Sequence, residues 1–170
     1  NIALFGIDGR DDVEGDRSDT IMIASINFKT GAIKVTSVMR DLLVKIPEGS
    51  KNDVSYEKIN AAYDYGGPQL AVKTLNENFD LNISDYVVVN FDCLVDTVDT
   101  LGGVDVNIEN EDVLYWTNEF INHVNYVLNK SDPKIEGVGT QHLTGVQALA
   151  YCRNRYSDDD YKRTARQREV

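Results

Sequence analysis

The sequence predicts an α/β domain, a mixed central β-sheet flanked by helices in an α/β/α arrangement. Three observations predict it. Short β-branched runs alternate with segments of helical period along the whole chain. Two of those runs, residues 19–27 and 32–38, are joined only by a short turn at Lys29-Thr30-Gly31, so they form a hairpin and make the sheet mixed rather than purely parallel. No internal repeat, low-complexity segment or linker breaks the 170 residues, a length that suits one domain over residues 1–170.

Residues 2–8 are a short apolar run closed by Gly6-Ile7-Asp8-Gly9, a buried strand whose C-terminal end delivers Asp8 to a loop. Residues 9–18 are polar, with Gly9 and Gly15, and form a loop of the kind that carries function. In the hairpin, similar strand lengths set Asp19, at the start of the first strand, beside the far end of the second, where Met39-Arg40-Asp41 leaves the sheet. Asp8, Asp19, Arg40 and Asp41 then meet at one sheet end if the first strand neighbours the hairpin in the appropriate direction. Residues 42–46 stay extended until Pro47-Glu48-Gly49. Residues 56–63 read as a short helix ended by Gly66-Gly67, and Pro68 opens an amphipathic helix over 68–79. Residues 83–91 form a strand, 93–101 a helix stopped by Gly102-Gly103, and 104–108 an alternating strand. A helix covers 113–128, followed by a loop around 130–134. Residues 139–145 read as a turn leading into a helix over 146–151.

The formal net charge of −11 argues against nucleic acid, which calls for a basic face, and against adsorption to anionic lipid. No run reaches the ~18 apolar residues that span a bilayer, and no signal peptide is visible. The chain opens on a strand already under way and closes on a helix just begun, so both ends read as cut. Cys93 and Cys152 lie far apart in apolar segments and read as buried thiols; two cysteines exclude a disulfide scaffold and leave a single bridge open. His123 and His142 lack partners at zinc spacing and read as ordinary polar residues.

Against this acidic background the arginines gather at Arg10 and Arg17, at Arg40, and in the stretch 149–167. Clustered guanidinium groups repel one another and call for an anion, a phosphate or carboxylate held by the planar fork. Arg153 and Arg155, at i, i+2, share a face if their segment is extended. Arg163, Arg166 and Gln167, at i, i+3, i+4, align along one side of a helix. The plainer alternative makes Arg163 and Arg166 solvated helix residues paired with Asp158, Asp159 or Asp160. Asp8 and Asp19 at strand ends, together with phosphate oxygens, suit Mg²⁺, or Mn²⁺ in its place; turn and cap roles are the alternative for both. Carboxylates and arginines around one anion are the usual apparatus of phosphoryl transfer. The P-loop, dinucleotide and Ser-nucleophile motifs are all missing from the sequence.

The ordered blocks Gly6-Ile7-Asp8-Gly9-Arg10, Arg17-Ser18-Asp19-Thr20, Met39-Arg40-Asp41, Lys58-Ile59-Asn60-Ala61-Ala62-Tyr63, Leu101-Gly102-Gly103-Val104, Leu143-Thr144-Gly145, Tyr151-Cys152-Arg153-Asn154-Arg155 and Arg163 to Gln167 together resemble the LytR-CpsA-Psr family of bacterial cell-wall proteins. The resemblance covers nearly the whole chain. It implies an extracytoplasmic, membrane-anchored phosphotransferase. Such an enzyme moves a glycopolymer (teichoic acid, capsule or another wall polysaccharide) from an undecaprenyl pyrophosphate carrier to peptidoglycan. It also implies an N-terminal membrane helix and a C-terminal end of the domain outside this sequence. By the resemblance Asp8 and Asp19 hold the metal, and Arg10, Arg17, Arg40, Arg153, Arg155, Arg163, Arg166 and Gln167 hold the pyrophosphate. Arg40, Asp41, Arg153, Arg155, Arg163 and Arg166 serve the chemistry, with Asp41 orienting Arg40. Met39 stands where the family usually has Pro, and the Asp160 region lacks the glycine often found before Arg163. The face around residues 87–101 is the expected apolar path for the prenyl tail. A polyprenyl-phosphate or polyanion binding module without turnover, and a lipid pyrophosphatase, are the competing functions.

Overall fold

The computed structural model describes residues 1–7, 17–49 and 53–170. The chain forms two compact units, Asn1–Asn90 and Phe91–Val170.

The first unit carries β1 (Ile2–Ile7), β2 (Ser18–Asn27), β3 (Ala32–Val38), β4 (Leu43–Ile46), β5 (Ser55–Lys58), α1 (Ala61–Phe79) and β6 (Asp85–Val89). Four strands make a mixed sheet in the order β3-β2-β1-β6, with β1 antiparallel to β2 and parallel to β6. The hairpin has the register its turn dictates, from Ile21↔Val38 to Asn27↔Ala32. Alternation along the strands sends Ala3, Phe5, Ile21 and Ile23 to one face. There they pack with Leu70, Ala71 and Leu75 of α1 and with Val44, Ile46, Ile59 and Ile83. Full burial of each large side chain contributes roughly 1.5–3 kcal/mol, which makes this layer the main support of the sheet end described below. Because β1 and β2 run antiparallel, the end of β1 lies at the start of β2: Gly6 pairs with Thr20, and across a register shift Ile7 pairs with Ser18.

One expectation changes here. Residues 55–58 form an antiparallel strand against β4, Leu43↔Lys58 to Ile46↔Ser55, rather than the start of a helix. The partner strand outweighs the helical propensity of Glu57, Lys58 and the alanines that follow. The helix begins at Ala61, and the expected break at Gly66-Gly67 is present. Those residues form a kink, with Gly67 at φ 63°, and the helix resumes at Pro68 through to Phe79.

The second unit carries α2 (Phe91–Thr100), β7 (Val104–Ile108), α3 (Glu111–Leu128), β8 (Gly139–Leu143), α4 (Gly145–Arg153) and α5 (Asp160–Glu169). Residues 139–143 pair antiparallel with β7, Val104↔Leu143 to Ile108↔Gly139, so this segment is a strand and not a turn. Its glycine and polar residues hid the alternation. α3 starts where the Asn110 side chain accepts from the Val113 amide. α4 starts with a reciprocal Thr144–Gln147 capping box. Gly145 through Cys152 are all buried, so α4 is the central rod of the unit. It packs with Val95, Val98, Val113, Ile121 and Val124. A Cβ at Gly145 would lie 2.2 Å from the Val95 carbonyl oxygen, so α2 and α4 approach too closely there for any side chain. The connection before β8 is held by side-chain amides acting as backbone. Asn118 exchanges two hydrogen bonds with Ile135, and Asn125 exchanges two with Asp132. Cys152 is buried as expected, whereas Cys93 is exposed; neither takes part in a disulfide. α2 turns only Val95 and Val98 fully inward, and Cys93 lies off that stripe. No helix among the described residues is long and apolar enough to cross a membrane.

Candidate functional site

In the first unit, the start of β2 and the exit from β3 bring Asp19 and Arg40 together. Arg40 Nη1 donates to Asp19 Oδ1 at 2.5 Å. Arg40 Nε lies 3.9 Å from Asp41 Oδ2, and the Asp41 Oδ1 atom accepts from Lys58 Nζ at 2.8 Å. The order Asp19, Arg40, Asp41, Lys58 is thus an alternating chain of charge along one edge of the unit. Backbone bonds stitch it down: the Asn60 amide donates to the Arg40 carbonyl at 3.3 Å, and the Ile59 amide to the Leu42 carbonyl at 2.8 Å. Among the described residues the buried Arg40 Nε atom has no hydrogen-bond acceptor. Arg17 lies 3.7 Å from Asp64 of α1. Asp8 and Arg10 lie outside the described residues. Asp19 is half exposed and offers hard carboxylate oxygen, the donor type Mg²⁺ prefers. Among the described residues no three His, Cys, Asp or Glu side chains gather as a complete metal cage.

In the second unit the arginines occupy two different environments. Arg153 is the last residue of α4, not part of an extended pair with Arg155. The capping box starts a helix that runs on to Arg153 before Asn154 turns the chain out, at φ −60°, ψ 119°. The Arg153 guanidinium lies over the Phe91 ring at 4.5 Å and the Phe120 ring at 5.9 Å. Its Nη1 is 3.3 Å from His123 Nδ1. Arg155 is exposed and lies over the Tyr156 ring at 5.5 Å.

Arg163 and Arg166 sit on α5 and are buried, not solvated. They do pair with the expected acids, Arg163 with Asp160 at 3.2 Å and Arg166 with Asp158 at 2.6 Å. Arg166 uses both terminal nitrogens: Nη1 donates to Asp158, while Nη2 donates to Asp158 at 2.9 Å and to the Asn154 carbonyl at 2.6 Å. Asn154 is itself fully buried, donating to the Val113 carbonyl and to Thr117. The Asn154 side-chain oxygen accepts from the Tyr156 and Ser157 amides, so Arg166 and Asn154 together fix the segment that carries Arg155. Tyr151 donates to Glu169 at 2.9 Å; burial first, and that carboxylate second, push its phenol well above the ordinary value. Burial pushes the Cys152 thiol up to about 12. Gln167 is half-buried on α5. Of the expected apolar path, Val87 is about half exposed on β6, whereas Val95 and Val98 are committed to the core of the second unit.

The residues that sequence reasoning passed over are Phe91, Phe120 and His123 around Arg153, Lys58 on Asp41, and Asp64 beside Arg17. None carries a local signal, because each meets its arginine or acid only through the fold.

The family model described as LytR_cpsA_psr matches residues 1–170. The chain belongs to the LytR-CpsA-Psr family. Among curated relatives, this LytR-CpsA-Psr chain is 35% identical over 183 residues to biofilm regulatory protein A of Streptococcus mutans, matching all of the chain and 42% of that protein. It is 35% identical over 172 residues to polyisoprenyl-teichoic acid–peptidoglycan teichoic acid transferase TagU of Bacillus cereus, matching all of the chain and 49% of TagU. Among solved structures it resembles TagT, a protein of B. subtilis. TagT bound to LIIa-WTA aligns with a TM-score of 0.79 at 32% identity, covering 99% of this chain and 59% of that one. TagT with bound octaprenyl pyrophosphate lipid aligns at 0.74 and 31% identity, covering 99% and 60%. The chain spans about half the length of the curated relatives it matches.

Proposed function

We propose that this chain is the catalytic part of a glycopolymer phosphotransferase. In this reading it moves a teichoic acid, capsule or related wall polysaccharide from a polyprenyl pyrophosphate carrier to peptidoglycan. It works at the extracytoplasmic face of the cell membrane, held there by an N-terminal anchor. The observation that carries the reading is the Asp19–Arg40 pair at 2.5 Å. A carboxylate that could hold a metal there lies against a cation that could hold an anion, in a chain that aligns over 99% of its length with octaprenyl pyrophosphate-bound TagT.

The arginines would bind the diphosphate by charge-assisted, fork-like contacts. Arg40, Arg153, Arg155 and Arg163 are the direct contacts in this reading, with Arg10, Arg17 and Gln167 at the margin. Arg166 acts indirectly in this reading: with its terminal nitrogens on Asp158 and Asn154, it positions the Arg155 segment. Asp41, shared between Arg40 and Lys58, orients Arg40. Asp8 and Asp19 would hold Mg²⁺ or Mn²⁺, which when bound neutralises charge on the phosphate oxygens. A peptidoglycan hydroxyl forms the new bond to the phosphorus that carries the sugar. The bond from that phosphorus to the bridging oxygen breaks, and polyprenyl phosphate departs with the bridging oxygen and takes up the hydroxyl proton. Arginine donors aimed at the departing phosphate supply the charge stabilisation that dominates such transfers.

The test compares wild type and Asp19→Ala for transfer from a lipid-linked donor to peptidoglycan and for binding of a prenyl pyrophosphate. Loss of transfer with binding retained supports the enzyme. A wild type that binds but never turns over the donor identifies a binding module instead, and release of phosphate without peptidoglycan identifies a pyrophosphatase.

A further inference from the structure

Two of the buried or half-buried arginines in the second unit are held in different ways. Arg166 is fixed through its edge: its terminal N–H groups point at Asp158 and at the Asn154 carbonyl. Arg153 has aromatic rings against its guanidinium, Phe91 at 4.5 Å and Phe120 at 5.9 Å, and one edge donor, Nη1, toward His123. A guanidinium keeps all five donors in its plane. An edge contact therefore consumes donors, whereas a stacked face consumes none and still restrains the plane. The contact to His123 completes the restraint. Arginine has no acceptor atom, so the 3.3 Å approach of Nη1 to Nδ1 is a hydrogen bond only when the imidazole presents its Nδ1 lone pair. Phe91 opens α2, Phe120 and His123 lie on successive turns of α3, and Arg153 ends α4, so three helices converge on one side chain.

We propose that Phe91, Phe120 and His123 are positioning residues that pre-orient Arg153 for a diphosphate. The aromatic faces set the plane, and the imidazole sets the rotation within it. The proposal rests on Arg153 being a pyrophosphate contact, as read above. Pre-organisation of this kind lowers the ordering cost of binding rather than adding a contact to the ligand. The three residues therefore matter for affinity although none touches the ligand.

The experiment measures affinity of the full chain for geranyl pyrophosphate, alongside thermal unfolding of each variant. Arg153→Ala comes first and should weaken binding at least tenfold; unchanged affinity there sinks the pyrophosphate reading for Arg153 and this inference with it. Phe91→Leu and Phe120→Leu keep apolar bulk and remove the π face. Each should weaken binding by roughly threefold to thirtyfold, and Phe91→Tyr and Phe120→Tyr should restore it. His123→Leu should weaken binding, and His123→Gln, whose amide oxygen can accept from Nη1, should restore it. Where Arg153→Ala loses affinity but the leucine variants bind like wild type, or the tyrosine and glutamine variants fail to rescue at unchanged thermal stability, the positioning role is wrong while the arginine assignment survives.

Discussion

The Arg166 guanidinium and the Asp158 carboxylate form a two-toothed pair, Nη1 to Oδ2 at 2.6 Å and Nη2 to Oδ1 at 2.9 Å. Both side chains are exposed by a tenth or less. A buried pair of this kind costs most when one member is removed, because the other charge is stranded. Asp158→Asn should lose about 3–5 kcal/mol of unfolding free energy. Urea unfolding measures it, and a loss below about 1 kcal/mol would contradict the structural role given to Arg166.

Arg40 sits between two carboxylates and carries the transfer chemistry in the proposed reading. Arg40→Ala should cost about 2 kcal/mol or more in transition-state binding. The check is kcat/KM with a lipid-linked donor. Transfer at the wild-type rate would remove Arg40 from the site.

That prediction concerns the part of the site most legible in the sequence. A short turn and two β-branched runs of similar length leave one natural register, and that register alone sets Asp19 against Arg40. The mixed sheet followed for the same reason. The short strands at Ser55–Lys58 and Gly139–Leu143 were not legible, because each exists only through its antiparallel partner. A segment such as Tyr56-Glu57-Lys58 has no alternation of its own strong enough to outweigh helical propensity. The helical setting of Arg153 was not legible because its helix is determined at the other end, by Thr144 and Gln147. Its aromatic surroundings come from residues 30 or more positions away, beyond any local pattern.

His142 has both ring nitrogens against acceptors, Nδ1 at 2.6 Å from Asp105 Oδ1 and Nε2 at 2.7 Å from the Gly102 carbonyl. Two acceptors require two N–H donors, so the folded state favours the imidazolium. The Asp105 bond chiefly, and the Gly102 carbonyl next, raise its pKa above 6.5. The folded value exceeds the unfolded one, so the stabilisation is full below pH ~6.5 and fades as pH rises through the folded value. In an NMR titration, Asp105→Asn should bring the His142 midpoint back down toward ~6.5. A midpoint that does not move would show that Asp105 is not its partner in solution.

The two thiols should differ in reactivity. Cys93 is exposed, whereas Cys152 is buried, with its thiol pushed up to about 12. A thiol-specific reagent at pH 8 should label one cysteine quickly and the second only after unfolding. The same shift has a consequence for stability. The unfolded thiol ionises above pH ~8.5 while the folded one holds its proton, so stability falls as pH rises from there toward 12. Rapid labelling of both thiols in the folded protein would overturn the packing described for α4.

Gly145 has no room for a methyl group, with the Val95 carbonyl oxygen 2.2 Å from the position a Cβ would take. Gly145→Ala should destabilise by at least about 1–3 kcal/mol, since the obstacle is backbone and not a movable side-chain tip. A thermal melt unchanged from wild type would mean that α2 and α4 are farther apart than described.

The break at Gly66 and Gly67 gives residues 61–79 the outline of one helix and the mechanics of two rods. Pro68 supplies no amide to bridge them, and Gly67 at φ 63° turns the path of the chain. The first rod is moored to the charged edge, with Tyr65 bonded to Glu57 and Asp64 beside Arg17. The second presses Leu70, Ala71 and Leu75 on the sheet. Amide exchange should therefore show two levels of protection meeting at the glycines, and the front rod can tilt when its edge is engaged while the rear rod keeps its seat on the core.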